Sequence, residues 1–571
     1  MMISNGGGAP GSRVWLLVAL AAVVIGAALR LNGLGVGSLS HPEIYIPGIP
    51  LPQGISEPPP RLTFHDTLLW HFQDEPHPMG YYLAMFGWTR LFGTTEAALR
   101  LPGALLGTAS IWLIYCIGAR VWIPAVGALA AAMLALHGFH VQWSQNARMY
   151  VPAAFFALLA TWFLIAVADG SRRRRWHEVG YVLSLGAGLH TTELTWALVG
   201  MHLAWPVLAA QRDPAALGTP LSARRLWQGY RVSQLQGMAV ALGAIELAHG
   251  LYRARHGAGA PPTTGFLRDF MGFGFLFTKD EFSLPARAPS TILVVLAVAA
   301  TLLLGLAALR TPVRAPAALS DRPVAGWIRI AVALACSAVV LWLASIAYHR
   351  NLPMAAVALL PVLALAIPGT ALVAVRLLAP VSILRRVDPF TGFFLLCGFV
   401  APLVIFVASV KVELLAARAF ILFVPFVLLL SAAGVGGLLP RVRGFAAGAV
   451  ALVALFVAGA VYNAPMPNSP NDYKGLAEKL RAELQPDDLI FLRHRNWADT
   501  PLLYYLPDAT YVTENWEEVS KTSTARIWLI TWPLPNYTLP AGDRDVALEG
   551  RFCSHEVTAR RARAQLYLPP Q

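Results

Sequence analysis

Apolar runs of about 20 residues, the length that crosses a bilayer, recur along most of this chain. That feature leaves few folds open, because backbone polar groups in lipid must bond to one another, as helices or closed barrels. The first run, Val14 to Leu34, follows a Gly-rich start with one Arg. A cleaved leader would have a shorter core and a small-residue cleavage site. Here Arg30 and Asn32 mark the far end, so a retained transmembrane helix is expected. Further runs lie near 101–119, 123–140, 149–168, 178–190, 193–210, 233–252, 290–309, 327–347, 354–376, 389–409, 416–438 and 444–462. With the pair between 178 and 210 ambiguous, that gives about 13 spans. Only 13% of residues are charged, against roughly 25% in soluble proteins. The expected fold class is therefore a polytopic α-helical membrane protein.

Charge placement sets the expected topology. The net charge of +13 does not point to nucleic acid, since the basic residues fall in short loops between apolar runs. Ser171-RRRR-Trp176, Arg212 with Arg224, Arg225 and Arg231, then Arg310, Arg314 and Arg322, Arg376 with Arg385 and Arg386, and Arg441 with Arg443 all share one side. That side reads as cytoplasmic. The N-terminus is then cytoplasmic, and the first loop (about 34–100), Trp143–Arg148, the turn at His190–Glu193, the 253–288 loop and Lys411–Arg418 lie outside. The Phe- and Gly-rich 253–288 loop reads as an interfacial piece or an ordinary loop at the headgroups. The four cysteines (Cys116, Cys336, Cys397, Cys553) have no paired spacing, and three lie in apolar runs, so neither a disulfide framework nor a thiolate metal site is expected.

After Tyr462 the composition changes. NAPMPNSPND reads as a linker, which divides a membrane domain (1–462) from a small soluble α/β domain (463–571) expected on the outer face. Asp472-YKGLAEKLRAEL has helical spacing behind an Asp cap. Asp488-LIFL, Ala509-TYVT and Ala525-RIWLITW read as buried strands. No phosphate loop or nucleophile motif is visible in this domain, which points to an accessory role.

The chemistry is expected on the outer face. Charges at a membrane are costly unless paired or hydrated, so each is a functional candidate. The first loop holds Glu43, Glu57, Asp66, Asp74 and Glu75 with His41, His65, His71 and His77; later loops add Arg148, His190, Glu193, Arg350, Lys411 and Arg418. A carboxylate there can take a proton from an acceptor, and arginines can hold and stabilise a phosphate leaving group. The plain alternatives are a helix-capping Glu43, a headgroup-snorkelling Arg148, a structural hydrogen bond at His190 and a helix-start role for Arg100. Trp70, Tyr81, Tyr82, Trp88 and Trp143 read mainly as an interfacial belt. The imidazoles beside acids could in principle hold a divalent metal, but their spacing fits no compact motif such as H-E-x-x-H, so no ligand set is assigned.

The run His77-PMGYYLAMFGWTRLFGTTEAALRLPGALLG resembles a stretch of the GT-C membrane glycosyltransferases, in the branch similar to dolichyl-phosphate-mannose–protein mannosyltransferases, which includes lipopolysaccharide sugar transferases. Gly138-FHVQWSQNARMYVPAAFFALL, Leu189-HTTELTW, Glu413-LLAARAFILFVPFVLLLSAAG, Asp472-YKGLAEKLRAELQPDDLIFL and Pro501-LLYYLP resemble further blocks in the same order. The resemblance implies transfer of a sugar from a polyprenyl-phosphate donor to a lipid, glycan or protein acceptor, with inversion, on the outer face of the cytoplasmic membrane. It also implies an acidic pair soon after the first helix. Here Pro42 stands at the Asp of that pair and Glu43 at the Glu. Glu43 is therefore the expected base, with Asp74 and Asp66 behind it. Arg148, in the ARMY block, and Arg418, where Ala419-Phe420 departs from the usual Tyr, are expected on the donor phosphate. His77, Tyr81, His190 and Glu193 are expected to line the cavity. A transporter or flippase of lipid-linked sugars is the alternative; it would show two related halves with mid-membrane charges on broken helices, and no internal repeat is seen.

Overall fold

A computed structural model describes residues 10–52, 61–73, 77–168, 174–205, 208, 231–254, 291–313, 388–408, 417–463, 471–492, 500–512, 516–531, 548 and 550–569. Five helices in them are long and apolar enough to cross a membrane: Ser12–Leu31, Glu96–Val121, Tyr150–Ala168, Phe420–Leu438 and Val442–Val461. A bent pair, Pro124–Leu136 with Gly138–Ser144, meets the same test together at 63°, as a broken span or a re-entrant loop. The protein is thus a multi-pass α-helical membrane protein. The runs expected near 327–347 and 354–376, and the 253–288 loop, lie outside the described residues.

In chain order the helices are α1 (Pro10–Leu31), α2 (Phe64–Gln73), α3 (Met79–Phe92), α4 (Glu96–Val121), α5 (Pro124–Leu136), α6 (Gly138–Ser144), α7 (Tyr150–Ala168), α8 (Arg174–Leu189), α9 (Thr195–Leu203), α10 (Arg231–Ala254), α11 (Thr291–Ala307), α12 (Pro389–Leu395), α13 (Ala401–Ala408), α14 (Val424–Leu438) and α15 (Val442–Asn463). A π turn, Leu396–Val400, joins α12 to α13. The ambiguous pair between 178 and 210 contains two short helices, α8 and α9. α14 lies hard against α11: a Cβ at Gly434 or Gly437 would run into the backbone oxygens of Leu304 and Ala307. Small residues permit such close helix approach in membranes.

The break between α5 and α6 has an identifiable cause. A broken helix leaves carbonyls without intrahelical partners, which is expensive away from water. Arg30, fully buried near the end of α1, takes them: its guanidinium donates to Leu134 O at 2.9 Å and Ala135 O at 3.1 Å, and also to Gly26 O at 3.0 Å. Its Nη2 also lies 3.0 Å from His140 Nδ1. His137 then caps α6, its ring nitrogen accepting from His140 N. Gln145 Nε2 donates to Leu29 O and Asn32 O at 2.9 and 2.8 Å, which ties the strip after α6 to the end of α1.

The C-terminal unit contains α16 (Tyr473–Arg481), α17 (Pro501–Tyr505), α18 (Trp516–Thr522) and strands β1 (Leu489–Phe491), β2 (Thr510–Val512), β3 (Ile527–Thr531), β4 (Phe552–Ala559) and β5 (Ala562–Leu568). The strand order is β2-β1-β3-β5-β4, with β1 parallel to β2 and β3 and the β4–β5 hairpin antiparallel. The expected helix is α16, with Asp472 as its cap accepting from Gly475 N at 2.9 Å, and the three expected strands are β1 to β3. Asp488, just before β1, holds this sheet at one corner. It accepts from Arg526 at 2.7 and 2.6 Å, Trp528 Nε1 at 2.9 Å and Gln485 N at 3.0 Å. Burial alone would raise its carboxyl, but the Arg526 bonds and the two N–H donors outweigh that and hold it below the usual carboxylate range. A carboxyl depressed in the native state adds stability above its unfolded value, and loses it as pH falls through the native one. Asp488→Asn should therefore weaken exchange protection of β1 and β3 amides by about 2 kcal/mol at neutral pH, with the difference shrinking as pH falls below the usual carboxylate range. A pH-independent difference would show that shape, not charge, is what Asp488 supplies.

Candidate active site

The segment after α1 makes tight turns, and it is organised by one buried ion pair. Arg100 sits in the first turns of α4 and donates to the carbonyls of Leu34, Gly37 and Ser38 at 2.9, 2.8 and 2.7 Å. It also meets both oxygens of Glu43, at 2.8 and 2.9 Å. Glu43 further accepts from Ser40 N and Oγ at 2.8 and 3.0 Å and from Ala147 N at 2.9 Å. Its side chain is fully buried. Burial would raise its carboxyl, but Arg100's charge and the surrounding donors hold it below the ordinary value. Glu43 is thus an ionised carboxylate with five donors on two oxygens. The expectation that it takes a proton from the acceptor meets a geometry with no oxygen turned to solvent.

The bond from Ala147 N brings the next residue into place. Arg148 Nη1 donates to Pro42 O at 3.2 Å. Two residues on, Tyr150 opens α7, and its hydroxyl accepts from Arg418 Nε at 2.8 Å. Arg418 stands on a short 3-10 turn, Ala417–Leu422, with its guanidinium 5.8 Å from the Tyr150 ring centre. Tyr81, buried in α3, faces the same place: burial raises its phenol, Arg148 opposes this, and Glu43 and Tyr150 add to it. Glu43, Arg148, Tyr81 and Arg418 are therefore brought together from four distant stretches.

A second polar group adjoins the start of α3. His77 Nδ1 lies 3.2 Å from Glu193, whose carboxylate also accepts from Thr192 Oγ1 at 3.4 Å. Their side chains keep 22% and 30% of their surface exposed. His190 Nδ1 bonds Glu246 Oε1 at 2.8 Å and its Nε2 bonds Leu242 O at 3.0 Å. A ring with both nitrogens on acceptors is satisfied only as imidazolium, which matches the carboxylate of Glu246. Glu246 also accepts from Met79 N at 3.2 Å and lies 3.7 Å from His71 Nε2. Tyr81 N donates to His190 O at 3.2 Å, and a Cβ at Gly80 would press on His190. The first turn of α3 thus joins the two groups.

The remaining expected residues fall elsewhere. Asp66 caps α2: it accepts from Thr63 N at 3.2 Å, while its own N–H donates to Thr63 Oγ1 at 3.0 Å. Asp74 lies outside the described residues, as do Glu57, Glu75, Arg350 and Lys411. Among the described residues, no three His, Cys, Asp or Glu side chains gather to ligate a metal. Two residues carry more of the site than the sequence reading gave them. Arg100 is the centre of the first-loop lock rather than a helix-start residue alone. Glu246 went unremarked, although an acid inside the apolar 233–252 run is the signal that finds it.

Residues 74–213 match the family described as dolichyl-phosphate-mannose-protein mannosyltransferase. The matched stretch takes in His77, Tyr81, Arg100, Arg148, His190 and Glu193, whereas Glu43, Glu246 and Arg418 lie beyond it. No curated protein matches the chain. Among solved structures, ArnT from Cupriavidus metallidurans in the apo state is 14% identical, with 97% of this chain and 98% of that one covered and a TM-score of 0.41. The same protein bound to undecaprenyl phosphate gives 15%, 98%, 98% and 0.39. The oligosaccharyltransferase AglB from Archaeoglobus fulgidus, in complex with an inhibitory peptide and a dolichol-phosphate, gives 12% identity, 91% and 69% coverage and a TM-score of 0.45.

Proposed function

We propose that this protein is a GT-C-type membrane glycosyltransferase that moves a sugar from a polyprenyl-phosphate donor to a lipid, glycan or protein acceptor, with inversion, at the outer face of the cytoplasmic membrane. The N-terminus is then cytoplasmic, and residues 463–571 form a domain outside. The observation that carries this reading is that Tyr81 feels the charge of Arg148 and lies by Tyr150, whose hydroxyl holds Arg418 at 2.8 Å, while the partly exposed Glu193–His77 pair adjoins the start of the same helix. Two guanidiniums suit a phosphate that leaves as a dianion, and the family's named donor is itself a polyprenyl phosphate sugar. The acceptor oxygen forms its bond to the anomeric carbon as the carbon–oxygen bond to phosphate breaks, and the acceptor's proton passes to a base. Glu193 is a described carboxylate here that keeps 30% of its side-chain surface exposed, with His77 and Thr192 on its oxygens, so it takes that role. Glu43 holds the loop instead; Asp74 stays a candidate for a second acid.

The test is a reconstituted assay with a panel of labelled polyprenyl-phosphate sugars. Transfer to an added or endogenous acceptor is expected; donor lipid crossing between leaflets with no transfer would instead mean a flippase. Glu193→Gln should keep the fold and lower kcat by about 10²- to 10⁴-fold, the usual worth of a general base. The acid limb of the pH–rate profile should go with it. An unchanged profile in that variant would move the base elsewhere.

A further inference from the structure

The C-terminal unit grips the loop that carries Glu43, and it does so with side chains from two of its helices. Ser38, fully buried, donates its hydroxyl to Asp472 Oδ1 at 3.2 Å and accepts from Lys474 N at 2.9 Å. Lys474 Nζ donates to Gly35 O at 3.1 Å and pairs with Glu96 at 3.0 Å. From α17, the Tyr505 hydroxyl accepts from Leu39 N at 2.7 Å and approaches Glu96 Oε1 at 3.3 Å. Neighbouring Tyr504 donates to Thr94 O at 2.9 Å.

These bonds are complementary to those of Arg100. Arg100 takes carbonyls of the loop from α4, whereas Lys474 and Tyr505 take Gly35 O, the Ser38 hydroxyl and Leu39 N–H from α16 and α17. Glu96, which both contact, precedes Arg100 by one helical turn on the same face of α4. A loop of tight turns makes few backbone bonds of its own, so its conformation is set by whatever holds it from outside. We infer that Lys474 and Tyr505 are positioning residues of the transferase: the C-terminal unit fixes the 34–43 loop, and through Pro42 and Glu43 it fixes Arg148 at the reaction centre. This inference deepens the proposed function and rests on it for the link to turnover.

The experiment compares full-length wild type, Lys474→Met, Tyr505→Phe, Lys474→Arg and Tyr504→Phe in detergent or nanodiscs by amide hydrogen exchange, thermal unfolding and transfer kinetics. Exchange across 35–43 should rise about tenfold in Lys474→Met and Tyr505→Phe, with the Tm and the exchange of α4 and β1–β3 unchanged. In those variants kcat should fall about tenfold while the donor KM stays, the pattern of a displaced group that acts in the transition state. Lys474→Arg should restore both readouts, and Tyr504→Phe should leave 35–43 at wild-type exchange. Unchanged exchange at 35–43, or a rise spread evenly over the chain, would overturn the grip. A loosened loop with wild-type kcat would overturn the positioning role. A wild type that transfers no sugar would sink the transferase reading, while the exchange comparison would still decide the grip.

Discussion

Glu43→Gln and Arg100→Met should each destabilise the protein by about 3–5 kcal/mol, because each leaves the other charge buried without its partner. Arg100 also holds three carbonyls of the loop, so its loss removes four groups' worth of bonding at once. The paired replacement Glu43→Gln with Arg100→Gln should recover part of that loss, since two neutral amides can still exchange hydrogen bonds. Thermal unfolding in detergent reads all three variants. The result separates two roles for Glu43. A general base predicts that Glu43→Gln keeps wild-type stability and loses only the chemical step, as is expected of Glu193→Gln. A carboxylate that holds the loop predicts that stability and turnover fall together, and that Arg100→Met has the same effect. Wild-type stability in Glu43→Gln would return the base role to Glu43.

The same pair shows what a sequence can and cannot say about such a site. The spans of α1, α4, α7, α14 and α15 are legible because length and apolar content suffice for a helix in lipid. α16 and β1 to β3 are legible from spacing and from a cap. The β4–β5 hairpin is not. β4 turns only Val557 fully inward and so lacks the alternation that marks a strand, while β5 alternates but buries only the small Ala562 and Ala564 with Leu566, and alanine is a weak strand former. For the site, residue types and their expected side of the membrane select Glu43, Arg148, His190, Glu193 and Arg418, and the fold places them by the first turn of α3 and the start of α7. Roles are harder. An acid next to a helix looks the same in sequence whether its oxygens face a substrate or five donors. Only the position of Arg100, 57 residues further on, decides that. Glu246 was passed over for the converse reason: a single acid in a long apolar run hardly changes its hydropathy, yet buried there it must be paired, and His190 and His71 are the partners.

Arg148→Ala and Arg418→Ala should each lower kcat for sugar transfer by about 10²- to 10³-fold, the range seen when one preorganised donor to developing charge is lost. In the proposed reaction the developing charge is on the donor phosphate, which gains its second negative charge as the anomeric bond breaks. Lysine at either position should recover only part of this, because an ammonium supplies a point charge without the planar fork. The two positions should differ in stability. Arg148 is bound to the loop through Pro42 O, so its removal also loosens that contact, whereas Arg418 leans on the Tyr150 hydroxyl and ring from a short turn. Tyr150→Phe therefore serves as the discriminating control. It leaves both charges in place but removes the acceptor that aims Arg418, and should reproduce a fraction of the Arg418→Ala loss with no change in Tm. If Arg418→Ala transfers sugar at the wild-type rate, the phosphate does not sit between these guanidiniums, and Arg148 with the Glu193–His77 side of α3 would have to hold it alone.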